Sequence, residues 1–138
     1  LQDKSGVPRE RLRILQHQAA DAPRGRRNQF RYALGRMFFA HGLYAEARGA
    51  FEAIVYTEPA AARDRATAMM RIASAVQMER HDDARKLLND DVVRDDPEAL
   101  LWRAMIDARE RNWPRAIAGF RAGEGALEGY ANAMQAQM

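Results

Sequence analysis

At 138 residues, 47% hydrophobic and 30% charged, the chain has the makeup of one globular domain, which excludes a disordered tail or two independent cores. It has no cysteine, which excludes disulfides, thiolate metal sites and a Cys nucleophile. Charge interrupts every apolar stretch, so none approaches the roughly 18 apolar residues of a membrane span. The net charge of +3 is unevenly spread: residues 1–36 hold nine cationic side chains against three acidic ones, a net +6, leaving −3 for the remainder. The cations are almost all Arg, Lys4 and Lys86 being the only lysines, and the Arg and Ala usage points to a GC-rich bacterial genome. The chain starts at Leu1 with no initiator Met or signal peptide, which reads as a fragment or processed form of a larger protein. Either cytoplasm or periplasm is compatible with that.

Taken in order, residues 7–20 read as a leading helix, opened by Pro8 and carrying Leu12, Leu15 and Ala19 on one side. A break follows at 21–25, where Pro23 and Gly25 stand. Residues 28–61 then read as a helical hairpin. Its first helix has an apolar stripe of Phe30, Ala33, Leu34, Met37 and Phe38. Its second has Ala47, Ala50, Phe51, Ile54 and Val55. His41-Gly42 supplies a glycine that can take the left-handed conformation ending a helix, and Pro59 stops the second helix.

A second unit spans 62–96. Ala66, Met69, Met70, Ala73, Val76 and Gln77 predict a helix to about Arg80, and Ala84, Leu87 and Leu88 a shorter one after His81-Asp82-Asp83. Residues 91–96, rich in Asp, predict an irregular loop. The third unit, 97–123, opens with Asp96 as cap and Pro97 in the first turn. Leu100, Leu101, Ala104, Met105 and Ala108 form its first stripe. The chain turns at Arg111-Asn112, and Trp113-Pro114 opens a helix with Ala116, Ile117 and Phe120. Gly123-Glu124-Gly125 is expected to break that helix, leaving 126–138, with Leu127, Tyr130, Ala131 and Met134, as a closing helix. The units share an Ala at 47, 84 and 116, preceded three residues earlier by a ring at Tyr44, His81 and Trp113.

Leu34-Gly35, Phe38, Ala47 with Phe51, and Pro59 resemble the tetratricopeptide repeat, whose pattern runs W-x2-L-G-x2-Y, A-x3-F and P over about 34 residues. Arg31 stands at the Trp position. The resemblance covers residues 28–123 and implies an all-α fold: a short right-handed α-solenoid of helical hairpins, flanked by capping helices, with first helices lining a concave face. The phrases DDPEALLWRAMIDARERNWPRA and FRAGEGALEGY also resemble segments of long tetratricopeptide-containing bacterial cell-envelope proteins, which leans the compartment toward the periplasm.

Catalysis needs converging polar groups, and few are visible. His17, His41 and His81 lie far apart with no helical ligand spacing, no G-x-S-x-G surrounds Ser5 or Ser74, and no phosphate-cradling loop is present. Asp90, Asp91, Asp95 and Asp96 lack the ligand alternation, central Gly and terminal Glu of a calcium loop and read as caps and turns. Neither metal nor cofactor nor enzymatic activity is therefore expected. The Arg-rich N-terminal segment offers three readings: a solvated face, a dock for an acidic partner, or a nucleic-acid or anionic surface. The last is disfavoured because no nucleic-acid motif accompanies it. Tyr32, Arg36 and Phe39 lie at i, i+4 and i+7 and form a second face on the first hairpin. By the resemblance, that face lines the groove together with Met69, Gln77, Met105 and Arg109. These seven residues are the candidate partner-binding set, suited to a protein or peptide partner because Met repacks easily and Arg binds carboxylates through two N–H groups. Packing of the same residues against the chain's own neighbours, and self-association, remain open alternatives.

Overall fold

A computed structural model describes residues 9–21 and 24–136, and side chains within 9–16 and 26–128. Among the described residues the fold is all-helical. Its helices are α1 (Arg9–Asp21), α2 (Arg24–Ala40), α3 (Tyr44–Thr57), α4 (Arg65–Gln77), α5 (His81–Leu88), α6 (Pro97–Arg109) and α7 (Trp113–Ala136), with a 3₁₀ turn at Pro59–Arg63 between α3 and α4. Pro8 and the expected break at Ala22-Pro23 lie outside the described residues, as do the side chains of His17, Tyr130 and Met134.

Consecutive helices pack as the pairs α2/α3, α4/α5 and α6/α7, and one feature recurs in all of them. Each first helix ends on a residue with positive φ: Gly42 at 76°, Glu79 at 60° and Arg111 at 62°. The next N–H then reaches back five residues, Leu43 to Phe38 O, Arg80 to Ala75 O and Asn112 to Asp107 O, at 2.8, 2.9 and 2.7 Å. This left-handed cap occupies carbonyls that a helix end otherwise leaves without partners. Five residues after each cap stand Ala47, Ala84 and Ala116, all but excluded from solvent, where a methyl group lets the paired helices approach.

Two cores result. The first gathers Phe38, Ala47, Phe51 and Ile54, with Leu12 of α1 and Met70 of α4 against it. Here Gly35 is required, because a Cβ on it would lie 2.7 Å from the Phe51 ring. The second core is built on α4, whose residues from Thr67 to Val76 are buried except Met70 and Arg71. Ile72 and Val76 of α4 meet Leu88, Ile106 and Val93 there, the last from the loop after α5.

Several expected boundaries and faces are corrected. Helix α2 begins at Arg24, α4 stops at Gln77 short of Arg80, and α5 includes His81 to Asp83. Ala33 and Ala66 are exposed, while Ala99 and Ile106, absent from the expected stripes, are fully buried. The buried side of α2 is turned toward Tyr32, Gly35 and Phe38 because the Phe51 ring sits over Gly35. Gly123 and Gly125 break nothing: α7 runs through them without interruption, so the separate closing helix at 126–138 does not exist among the described residues. The reason is packing. Gly123 is buried against α6, where a Cβ would come within 2.6 Å of Leu101 Cδ2, so close helix contact offsets the roughly 1 kcal/mol that glycine costs a helix.

Glutamate and arginine in left-handed geometry carry strain of about 1 kcal/mol that glycine avoids. Glu79→Gly and Arg111→Gly should each raise unfolding free energy by about 0.5–1 kcal/mol in urea titrations. Gly35→Ala, which drives a methyl into Phe51, should lower it by about 1–3 kcal/mol.

Candidate functional site

The α2 face is less open than its spacing suggests. Tyr32 meets Phe51 edge-on at 5.7 Å and Phe39 meets Tyr44 edge-on at 5.1 Å, so both rings serve the first core. Arg36 is exposed, with its guanidinium 6.0 Å from the centre of the Tyr32 ring, at the outer limit of a cation–π contact. Met69 is a correction: at 3% exposure it belongs to the second core and cannot touch a partner. Met105 is half-buried against the same core. Arg109 donates to Val76 O and to Gln77 Oε1, each at 2.6 Å. Those bonds close the C-terminal end of α4 with a cation, where the helix dipole favours one. The structure therefore brings Gln77 and Arg109 together and packs Tyr32 and Phe39 inward, leaving Arg36 as the open cationic member of the set.

Below Tyr32 lies an open groove of about 590 Å³ between the start of α2, the end of α3, the 3₁₀ turn and the start of α4. Tyr32 and Ile54 supply apolar walls, and Asn28, Glu58, Asp64 and Thr67 the polar ones. Much of this polarity is internally matched. Asn28 Nδ2 donates to Glu58, and Asp64 caps α4 by accepting from the N–H and the hydroxyl of Thr67 at 3.0 and 2.9 Å. The sequence held one signal for this feature, an Asp three residues ahead of a Thr at a helix start. The approach of Asn28 to Glu58 has no local signature.

Most well-placed arginines of α3 to α6 tie helices together. Arg71 grips Glu52 through two bonds of 2.7 and 3.1 Å, and Arg48 meets Asp83 at 3.0 Å. Arg85 pairs with Asp107 and Glu110, and Arg103 donates to Leu88 O and Asn89. Asp90, Asp91 and Asp96 of the Asp cluster are occupied likewise. Asp90 caps the turn at Val92, Asp91 pairs with Arg63, and Asp96 caps α6 at Glu98 while holding Arg65 at 2.6 Å. Among the described residues no group of three or more His, Asp or Glu side chains is arranged to hold a metal ion, and no helix is long and apolar enough to cross a membrane.

No family model, curated protein or solved structure matches this chain.

The Arg65 hydrogen bonds hold the Asp96 carboxyl below the usual carboxylate range, aided by the Glu98 N–H and opposed by partial burial. A depressed carboxylate contributes stability above its unfolded pKa and loses it as pH falls through the folded one. Wild-type protein should therefore lose stability on acidification below about pH 4. Asp96→Asn, which still caps α6, should flatten that slope and cost up to about 1 kcal/mol at neutral pH. Asp96→Ala should cost about 1 kcal/mol more through the lost cap. Urea midpoints from pH 3 to 7 check all three.

Proposed function

We propose that the chain is a non-catalytic protein-interaction scaffold, a short right-handed α-solenoid of tetratricopeptide-like helix pairs that binds a partner helix or peptide along its first helices. The observation that carries this reading is the threefold recurrence of one cap, with left-handed residues at 42, 79 and 111 and the same five-residue return bond. It is supported by the row of first helices, since α2 touches α4 and α4 touches α6. A surface built from serially repeated elements suits an extended ligand. Within that surface the groove beside Tyr32 supplies apolar walls and Arg36 an exposed charge for a partner carboxylate.

A second reading, attachment to nucleic acid or another anionic surface, is favoured by one observation: Arg9, Arg11, Arg13 and Arg26 are all exposed on α1 and α2.

Arg36→Glu should weaken capture of the partner from the source cells by about tenfold, the worth of one charge-assisted contact, with helix content by circular dichroism unchanged. Loss of helix would make Arg36 structural and remove the α2 face from the reading. Retention of a generic oligonucleotide at low salt, falling steeply as salt rises, would favour the anionic-surface reading instead.

A further inference from the structure

The second helix of each pair opens a ridge at the second, sixth and tenth residues after its left-handed cap: Tyr44, Arg48 and Glu52 in α3, then His81 and Arg85 in α5 with Asn89 just past its end, then Trp113, Ile117 and Arg121 in α7. In the first two pairs the following helices cover its sixth and tenth residues, whereas Tyr44 meets Phe39 of α2. Arg48 reaches Asp83 of α5 and Glu52 is gripped by Arg71 of α4. One pair later, Arg85 reaches Asp107 of α6 and Glu110 just past its end, His81 Nδ1 stands 3.9 Å from Glu110, and Asn89 accepts from Arg103. Arg71 and Arg103 occupy the same register, eight residues ahead of their own caps, so one inter-pair contact is made twice.

The third ridge is bare. Trp113 is 56% exposed and Ile117, named with Ala116 and Phe120 among the apolar residues of this helix, is 51% exposed. Arg121 beside them is exposed too, and α7 packs on α6 alone among the described helices. Its chemistry is inverted at two positions. The tenth residue, which twice accepts a hydrogen bond from arginine, is now a cation. The sixth, which twice seeks carboxylates as arginine, is now aliphatic. A helix bearing Arg in the register of Arg71 and Arg103 would meet Arg121 with like charge, so this ridge rejects the chain's own way of stacking.

We propose that the α7 ridge of Trp113, Ile117 and Arg121 docks an amphipathic helix from a partner protein, one that carries a carboxylate opposite Arg121 and aliphatic side chains opposite Trp113 and Ile117. The occupant follows from continuity with an inter-pair contact made twice within the chain and from the reversed charge at the tenth residue of this third ridge. The proposal rests on the repeated-pair reading above but not on the α2 face.

The test uses two synthetic peptides of residues 65–89, the segment that covers α3 in the intact chain. Both carry Asp83→Leu, to set an aliphatic group against Ile117, and one also carries Arg71→Glu. Neither contains Trp, so a blue shift of Trp emission in the full-length protein reports docking over exposed Trp113. The Arg71→Glu peptide should bind about tenfold more tightly than the other, and Arg121→Glu in the protein should reverse that preference. Each altered segment is also appended after Met138 through a Gly/Ser linker, so that binding is intramolecular and does not depend on the free peptide being folded. Hydrogen exchange should then slow at residues 113–121 for the acidic segment only. Arg36→Glu should leave these results unchanged, which separates this ridge from the α2 face. Equal binding of both peptides, no protection in either fusion, or a concentration-dependent dimer of the unmodified chain that itself buries Trp113 would overturn the proposal.

Discussion

The arrangement of this molecule depends on how each first helix is ended. A left-handed residue at 42, 79 and 111 turns the chain back while a five-residue return bond occupies a terminal carbonyl. Five residues on, an alanine with almost no exposure lets the second helix lie close against the first. Cap and alanine work together. The cap sets the direction of the returning chain, and the small side chain sets the distance at which the helices meet. Phe51 and Leu88 then fill the space between helices in the first two pairs. Gly35 extends the same logic on α2, where the absence of a Cβ gives the Phe51 ring its place.

Arginine supplies the second level of organisation. A net +6 over residues 1–36 suggests an electrostatic surface, but from α3 onward many arginines are spent on neighbouring helices and on carbonyls at helix ends. Planar guanidinium groups suit this work because one side chain can grip two acceptors at fixed angles. These pairs are partly exposed, so each adds little stability, and their larger effect is on which register of one helix pair fits the next. The same contacts engage acidic residues whose expected role was to cap helices and turns. Asp91 and Asp96 answer Arg63 and Arg65, and Asp90 closes a turn.

Packing and charge pairing also limit which parts of the surface are open. Tyr32, Phe39 and Met69 are engaged in cores and Arg109 with Gln77 in a helix cap, which leaves Arg36 and the groove beside Tyr32 as the accessible part of the α2 face. At the far end, α7 exposes two large apolar side chains next to an arginine, in the register that neighbouring helices cover elsewhere in the chain.

Local chemistry settled much of the fold in advance. Asp96 with Pro97 starts α6, Gly42 ends α2, and the alanines at 47, 84 and 116 mark where helices approach. Each is legible because its cause lies within a few residues along the chain. The partial burial of Tyr32 in place of Ala33, the continuity of α7 through Gly123 and Gly125, and the exposure of Ile117 were decided by tertiary structure. In α4 an apolar stripe carries little information, since that helix is covered on most sides. The arginine pairings belong there as well: Arg71 meets Glu52 from 19 residues away and Arg48 meets Asp83 from 35. Helical periodicity shows that one side of a helix must be covered, but which residues form that side, and which charges are consumed, depends on the shape and acceptors of helices far along the chain.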